Sequence, residues 1–306
     1  MFDSNPKEHY LKRGDPNKPT YYICRRKAET TELFALYRIM MGHVRYALSN
    51  GWLPVVDMQN YPNLYLPPEK LGKENSWEYF FEQPLRIGLE EAYNGDNIIL
   101  SNSDYVTPYP IHSRDFLENK NLILTKWRML VKLGLLKIKP ELMQEILLVK
   151  EKLFSPEDRV LGVYLRGADY AVGKIKNYPI PPPVEFAAMT ITEKLKEWRC
   201  NKFFLATEDK ALADIFKSNF VKTCTVLSKK HLNFAQTKNK SSAENLSSND
   251  SEQYRRGKEY LIQIALLSSC NALVGVRGSG TTSALLMAEK FEHTWFFNLG
   301  RYGVFG

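Results

Sequence analysis

The sequence predicts a two-domain α/β protein whose C-terminal half is a doubly wound parallel sheet. Three observations carry this prediction. Between residues 160 and 297, five short apolar stretches alternate with helical patterns. Residues 21–57 read as strand, helix, strand, a Rossmann-like opening. The chain has 306 residues, enough for two domains with separate cores. The polar run Ser155-Pro156-Glu157-Asp158 marks the expected boundary, giving domains 1–154 and 155–306.

Residues 1–20 hold three prolines, several lysines and little apolar content, and read as a loose lead-in. Tyr21–Arg25 is a short strand. Leu33, Tyr37, Met40, Val44 and Ala47, spaced by three and four, give the next segment one apolar helical face, closed by Asn50-Gly51. Leu53–Asp57 is a second strand. Residues 59–84 are irregular and aromatic; Trp77, Tyr79, Phe80 and Phe81 suit a core cluster or a sugar-stacking wall. Asn97–Leu100 is a further strand, His112 sits in a loop, and Asn121–Phe154 is helical with a break at Lys139-Pro140.

The second half alternates regularly. The predicted strands are Val160–Leu165, Lys202–Ala206, Thr223–Leu227, Ala272–Val276 and Thr294–Phe297. The predicted helices run from near Pro183 to Trp198, and over about 210–217, 257–269 and 281–290. Residues 229–252 are rich in Ser, Asn and Lys, which implies a mobile loop (229–256) before the next helix, either a lid or acceptor-binding loop or plain disorder.

Composition narrows the function classes. Hydrophobic residues at 44% and charged residues at 25% are those of a globular protein, and no apolar run reaches the length of a membrane span. The polar, acid-containing N-terminus reads as neither signal nor transit peptide, so the expected compartment is cytoplasmic. Four scattered cysteines argue against a disulfide framework or a structural zinc site. A net charge of +8 suits an anionic substrate or an anionic membrane surface; with no nucleic-acid-binding signature, nucleic acid is not an expected partner.

The chemistry concentrates at strand ends of the second half. Val160–Asp169, V-L-G-V-Y-L-R-G-A-D, is a buried strand ending in Arg166, Gly167 and Asp169. A guanidinium there suits phosphate oxygens in the crevice of an open α/β sheet; a structural Arg–Asp pair is the alternative. Thr207, Glu208 and Asp209 either cap the next helix or recognise hydroxyls of the ligand. Arg277, Gly278, Ser279, Gly280 and Thr281 place small residues at a helix start, an anion site by dipole and geometry, unless they are only a glycine turn with a cap. The pattern is neither a Walker loop nor G-x-G-x-x-G, and no D-x-D, H-E-x-x-H or G-x-S-x-G occurs. The residues thus fit a nucleotide-sugar held without a metal.

These segments resemble a known family. G-V-Y-L-R-G-A-D-Y is similar to the H-x-R-R-x-D motif of GT-B-fold fucosyltransferases, which include alpha-1,6-, nodulation and protein O-fucosyltransferases. It is closer still to the G-x-H-x-R-G-T-D-Y of bacterial polysaccharide-cluster relatives. F-F-L-A-T-E-D resembles the second motif, and Y-L-I-Q-I-A-L-L-S-S-C-N-A-L-V-G-V-R-G-S-G the third, over about residues 160–290. The resemblance implies two Rossmann-like domains of the GT-B type, with Arg166 on the β-phosphate of GDP-fucose, Ser279 on donor phosphate, and Asp169 closing the first motif. Tyr164 stands where the family often has histidine, Gly167 where it has a second arginine, and Gln263 where it has an aspartate at the nucleotide end. Y-A-V-G-K-I-K carries no acid where the alpha-1,6 enzymes have a glutamate.

The resulting expectation is an inverting, metal-independent glycosyltransferase without cofactor, transferring fucose from GDP-fucose to a glycan in polysaccharide or lipopolysaccharide synthesis. Arg166 and Asp169 are the expected catalytic residues. Tyr164, Arg166, Gly167, Glu208, Asp209, Gln263, Arg277, Gly278, Ser279, Gly280 and Thr281 are the expected donor contacts. Asp169, Asp57 and Glu82 are candidate bases. The N-terminal domain would take the acceptor, with catalysis in the cleft between domains. A lipid-linked acceptor, with peripheral contact at the inner membrane face, would suit the charge. Another nucleotide-sugar donor, or a catalytically silent binding protein on the same fold, are the alternatives.

Overall fold

The computed structural model describes residues 9–27, 29–102, 109–110, 120–166, 174, 176, 178–228 and 251–303. His112, Gly167, Asp169 and positions 229–250 lie outside the described residues. The chain divides into two compact units, Met1–Met143 with Leu246–Leu261, and Gln144–Asn245 with Ile262–Gly306.

Unit 1 is built on a four-stranded sheet. Its strands are β1 (His9–Lys12), β2 (Thr20–Arg25), β3 (Leu53–Asp57) and β4 (Asn97–Leu100), in the order β1-β4-β2-β3. β2 pairs in parallel with β3 and β4, while β1 runs antiparallel to β4. Side chains alternate between the faces of β2. Ile23 joins Val55, Ile98 and Leu100 under helix α2 (Leu89–Asn94), packed with Leu89 and Ala92. Tyr22 turns to the other face, where its hydroxyl meets Nδ1 of His43 in helix α1 (Leu33–Ser49) at 3.2 Å.

α1 has the predicted apolar face and ends at Asn50, with Gly51 at φ +73, the left-handed conformation glycine adopts most readily. Trp77, Tyr79, Phe80 and Phe81 are buried. Tyr37 lies 5.0 Å from Phe81, centroid to centroid, and Phe80 stacks on Tyr254, so this cluster is core and not a sugar wall. The lead-in reading of residues 1–20 is corrected: His9–Lys12 is an edge strand. All four residues are exposed, and a rim strand of this kind needs no apolar face to be held by its neighbour.

Two helices flank the predicted break at Lys139-Pro140, α3 (Lys120–Lys132) and α4 (Pro140–Leu153), with 133–139 outside both. In unit 2, strands β5 (Val160–Tyr164), β6 (Lys202–Ala206), β7 (Cys224–Val226), β8 (Ala272–Val276) and β9 (His293–Phe297) form one parallel sheet ordered β7-β6-β5-β8-β9. Helices α5 (Val184–Glu197), α6 (Lys210–Asn219), α7 (Glu252–Ser268, of which the part up to Leu261 belongs to unit 1) and α8 (Ser279–Met287) connect them. In chain order the strands read 3-2-1-4-5, the doubly wound arrangement, with its switch point between β5 and β8.

Two helix boundaries depart from expectation. α7 begins at Glu252, not near Gly257, with the Ser251 hydroxyl accepting from Tyr254 N at 3.2 Å. Gly257 lies inside the helix, and the position takes glycine because a Cβ there would overlap the Phe80 and Tyr65 rings. α8 begins two residues earlier than expected and ends at Met287. The four cysteines are free thiols; Cys24, Cys200 and Cys270 are buried, and burial raises the Cys224 thiol to about 11. No helix among the described residues is long and apolar enough to cross a membrane.

Candidate functional site

The carboxyl ends of β5 and β8 lie side by side because the two strands pair in register, Tyr164 opposite Gly275. Arg166 follows β5 by two residues and is half-buried, after the buried Leu165, whose N–H donates to Ala206 O at 3.2 Å. Arg277 follows β8 directly. The sheet topology therefore brings both arginines to the switch point, the place where open α/β sheets bind ligands.

Directly after Arg277 comes the start of α8. Gly278 is its N-cap, in extended conformation, and no side chain caps the helix. A Cβ on Gly278 would meet nothing within 4 Å among the described residues, so they leave this side of the helix start open. The first backbone N–H groups of an α-helix lack intrahelical acceptors and carry its positive partial charge. Thr281 anchors the turn by donating from Oγ1 to Val276 O at 2.5 Å. Gly280 is needed sterically. A Cβ there would lie 2.6 Å from Cζ and 2.8 Å from the hydroxyl oxygen of Tyr164, whose ring covers the turn. Tyr164 is buried at 3% exposure and so acts as a wall of the site. Ser279 is the first residue of α8 and half-buried.

The other expected residues divide. Asp209 is the N-cap of α6: its Oδ1 accepts from Leu212 N at 3.0 Å, and its own N–H donates to Thr207 Oγ1 at 3.2 Å. Capping thus accounts for Thr207 and Asp209, while Glu208 is exposed beside them. Gln263 sits on α7, half-buried between buried Ile262 and Ile264. Gly167 and Asp169 lie outside the described residues.

Asp57 is ruled out as a free base by its surroundings. It is fully buried at the end of β3. Oδ1 accepts from Gln59 N at 3.0 Å and Asn60 N at 3.1 Å; Oδ2 accepts from Asn60 Nδ2 at 2.8 Å and the Tyr93 hydroxyl at 2.7 Å. No lone pair is left for an acceptor hydroxyl. Glu82 is half-buried, 3.9 Å from Arg86 Nε, an interaction long enough to leave its carboxylate available. Among the described residues, no group of three or more His, Cys, Asp or Glu side chains could hold a metal ion.

One residue was missed. Arg301 lies close enough to Arg277 that, after burial, its charge is the next cause lowering the Arg277 pKa from its ordinary value. It belongs to no motif; the signal available in the sequence was its place between two glycines, L-G-R-Y-G, just past the last strand.

No protein-family model matches the chain, and no curated protein matches it in sequence. Solved structures do. The alpha-1,6-fucosyltransferase NodZ soaked with GDP-fucose is 16% identical, at a TM-score of 0.53 over 94% of this chain and 98% of that one. POFUT1 in complex with GDP is 11% identical, at a TM-score of 0.56 over 93% of this chain and all (100%) of that one. NodZ from Bradyrhizobium is 17% identical, at 0.50 over 89% and 94%. At such identities the likeness speaks for architecture, and it bears out the expected fold class. The chain has the GT-B-type α/β fold of these fucosyltransferases, from end to end of its described sheets.

Proposed function

We propose that the protein is a fucosyltransferase using GDP-fucose, with the donor diphosphate held in unit 2 and a glycan acceptor taken by the N-terminal domain. The observation that carries this reading is the uncapped start of α8 at Gly278, directly after Arg277 and beside the end of β5, which Arg166 follows. The fold is also that of NodZ, which was soaked with GDP-fucose, and of POFUT1, which was crystallised with GDP.

In the proposed reaction an acceptor hydroxyl attacks the anomeric carbon of fucose with inversion. The new C–O bond forms as the bond from that carbon to the β-phosphate oxygen breaks, and its electron pair leaves on GDP. Arg166 and the N–H groups of Ser279–Thr281 offset that growing charge, which preorganised donors do without reorganising. With cations and helix N–H groups in that position, no metal is called upon. The proton of the hydroxyl passes to a base, for which Asp169 and Glu82 remain the candidates. A basic chain of net charge +8 suits an acceptor at an anionic membrane surface, such as a lipid-linked precursor of a surface polysaccharide.

Thermal shift against GDP, UDP, dTDP and CMP tests the nucleotide. At a hundredfold excess over Kd, GDP should stabilise the protein by about 2.7 kcal/mol and the others should not. Arg166→Ala should lower fucose transfer by roughly a hundredfold or more while the protein stays folded. An Arg166→Ala variant as active as the parent would sink the reading.

A further inference from the structure

Two arginines, Arg277 and Arg301, gather at the end of β8. Arg277 stands immediately ahead of α8, so a cation adjoins the positive end of a helix, the sign a helix start disfavours. Its Nε is buried without a hydrogen-bond partner, and no ion pair among the described residues engages its guanidinium. Leaving such a donor unmet costs about 1–3 kcal/mol.

Arg301 adds a second guanidinium from the neighbouring strand. β9 pairs with β8 up to Val276 opposite Phe297, and Arg301 follows four residues on. Its segment is fixed in place. Ile180 N donates to Gly300 O at 3.1 Å, Tyr302 N donates to Tyr178 O at 3.0 Å, and Arg301 bridges to Pro179. Gly300 and Gly303, at φ +87 and +66, make the turns on either side. Arg301 is thus presented on a short braced arch, exposed to solvent, beside a cation it repels.

We infer that Arg277 and Arg301 form a second cationic clamp for a phosphate group, on the β9 side of the α8 start, with Arg166 on the β5 side. The identity of the phosphate's carrier as the donor nucleotide rests on the function proposed above; the anion site itself does not. A diphosphate carries more negative charge than one guanidinium offsets, and paired guanidiniums can each grip two of its oxygens. The clamp places an acceptor within reach of the unmet Arg277 and beside the positive start of α8.

Isothermal titration of the full chain with inorganic pyrophosphate and with GDP, at fixed low ionic strength, tests the clamp. Arg301→Gln should weaken both ligands about tenfold, and Arg301→Lys should recover part of that loss. Lys290→Gln, an equal charge loss at the exposed turn before β9, should leave both affinities unchanged. If pyrophosphate binding depends on Arg301 but GDP binds no tighter than pyrophosphate, the clamp stands and the nucleotide reading falls. If Arg301→Gln binds both ligands as tightly as the parent, the clamp is overturned. It is overturned equally if that variant only lowers the unliganded thermal midpoint, as a structural role would.

Discussion

Two helices of the same sheet begin in the same way and are finished differently. α6 follows β6 through Thr207-Glu208-Asp209, and α8 follows β8 through Arg277-Gly278. At α6 the Asp209 carboxylate occupies the helix start and supplies negative charge to it. At α8 the equivalent place holds glycine, with no cap, and arginines gather around it. Unit 1 repeats the first pattern. The Arg25 guanidinium at the end of β2 is spent on Ser101 O, at 3.0 Å from Nε, and on the Tyr61 hydroxyl, at 2.8 Å from Nη1. Asp57 at the end of β3 is saturated. A carboxyl edge of an α/β sheet therefore becomes a site only where the chain declines to satisfy its own groups. The α8 start is such a place.

The largest test exchanges the two finishes. Gly278→Asp puts a capping carboxylate at α8, where the backbone is extended and a side chain has free space. The folded protein should gain about 1 kcal/mol in denaturant unfolding, while GDP affinity falls about a hundredfold or more, since the new charge takes the anion's place. Loss of stability together with unchanged affinity would break the comparison.

Asp57→Asn probes the saturated end. The amide removes one acceptor oxygen and sets an N–H group against Asn60 Nδ2 or the Tyr93 hydroxyl. Urea unfolding should show a loss of about 2–3 kcal/mol, with GDP affinity of the folded protein unchanged. Unchanged stability would mean that the carboxylate is not committed as described, and would restore it as a base.

Much of this contrast was legible beforehand. β3, β4, β6 and β8 have the bounds their sequences predict, because buried parallel strands are apolar runs cut off by turn residues. β1 was not legible, since an exposed rim strand carries no pattern of its own. The first turn of α7 was hidden by the glycine inside it, which only the Phe80 and Tyr65 rings explain. At the site, the small residues Gly278–Thr281 and the two strand-end arginines announced an anion. Sequence could not tell Asp209 as a cap from Asp209 as a ligand contact, since both uses put a carboxylate at a helix start. Arg301 stayed out of view because its neighbour Arg277 is 24 residues away in the chain (301 less 277) and meets it only through strand pairing.

The closed interior of unit 1 also makes a pH prediction. Burial, with Arg26 adding to it, holds the His43 pKa down to about 3 from 6.5. Between those values the unfolded chain takes up a proton that the folded protein refuses. Stability is then complete above about pH 6.5 and falls as pH drops, by about 1.4 kcal/mol per unit, or about 2 kcal/mol at pH 5. His43→Asn, whose amide takes the Nδ1 position facing the Tyr22 hydroxyl, should flatten this slope. An equal slope in the variant would assign the effect to other groups.

The smallest expected effect bears most directly on the two helix starts. Asp209→Ala removes the α6 cap and should cost about 1 kcal/mol in denaturant unfolding. Its carboxylate already meets Leu212 N at 3.0 Å, and the strand it follows, β6, lies on the far side of β5 from β8. GDP affinity should therefore be unchanged within error. Asp209→Asn, which still caps, should restore the stability. If Asp209→Ala instead weakens GDP while Asp209→Asn does so equally, the carboxylate's charge serves the ligand and not the helix. The two starts would then be parts of one site, and the line drawn here between a finished helix end and an open one would have to move.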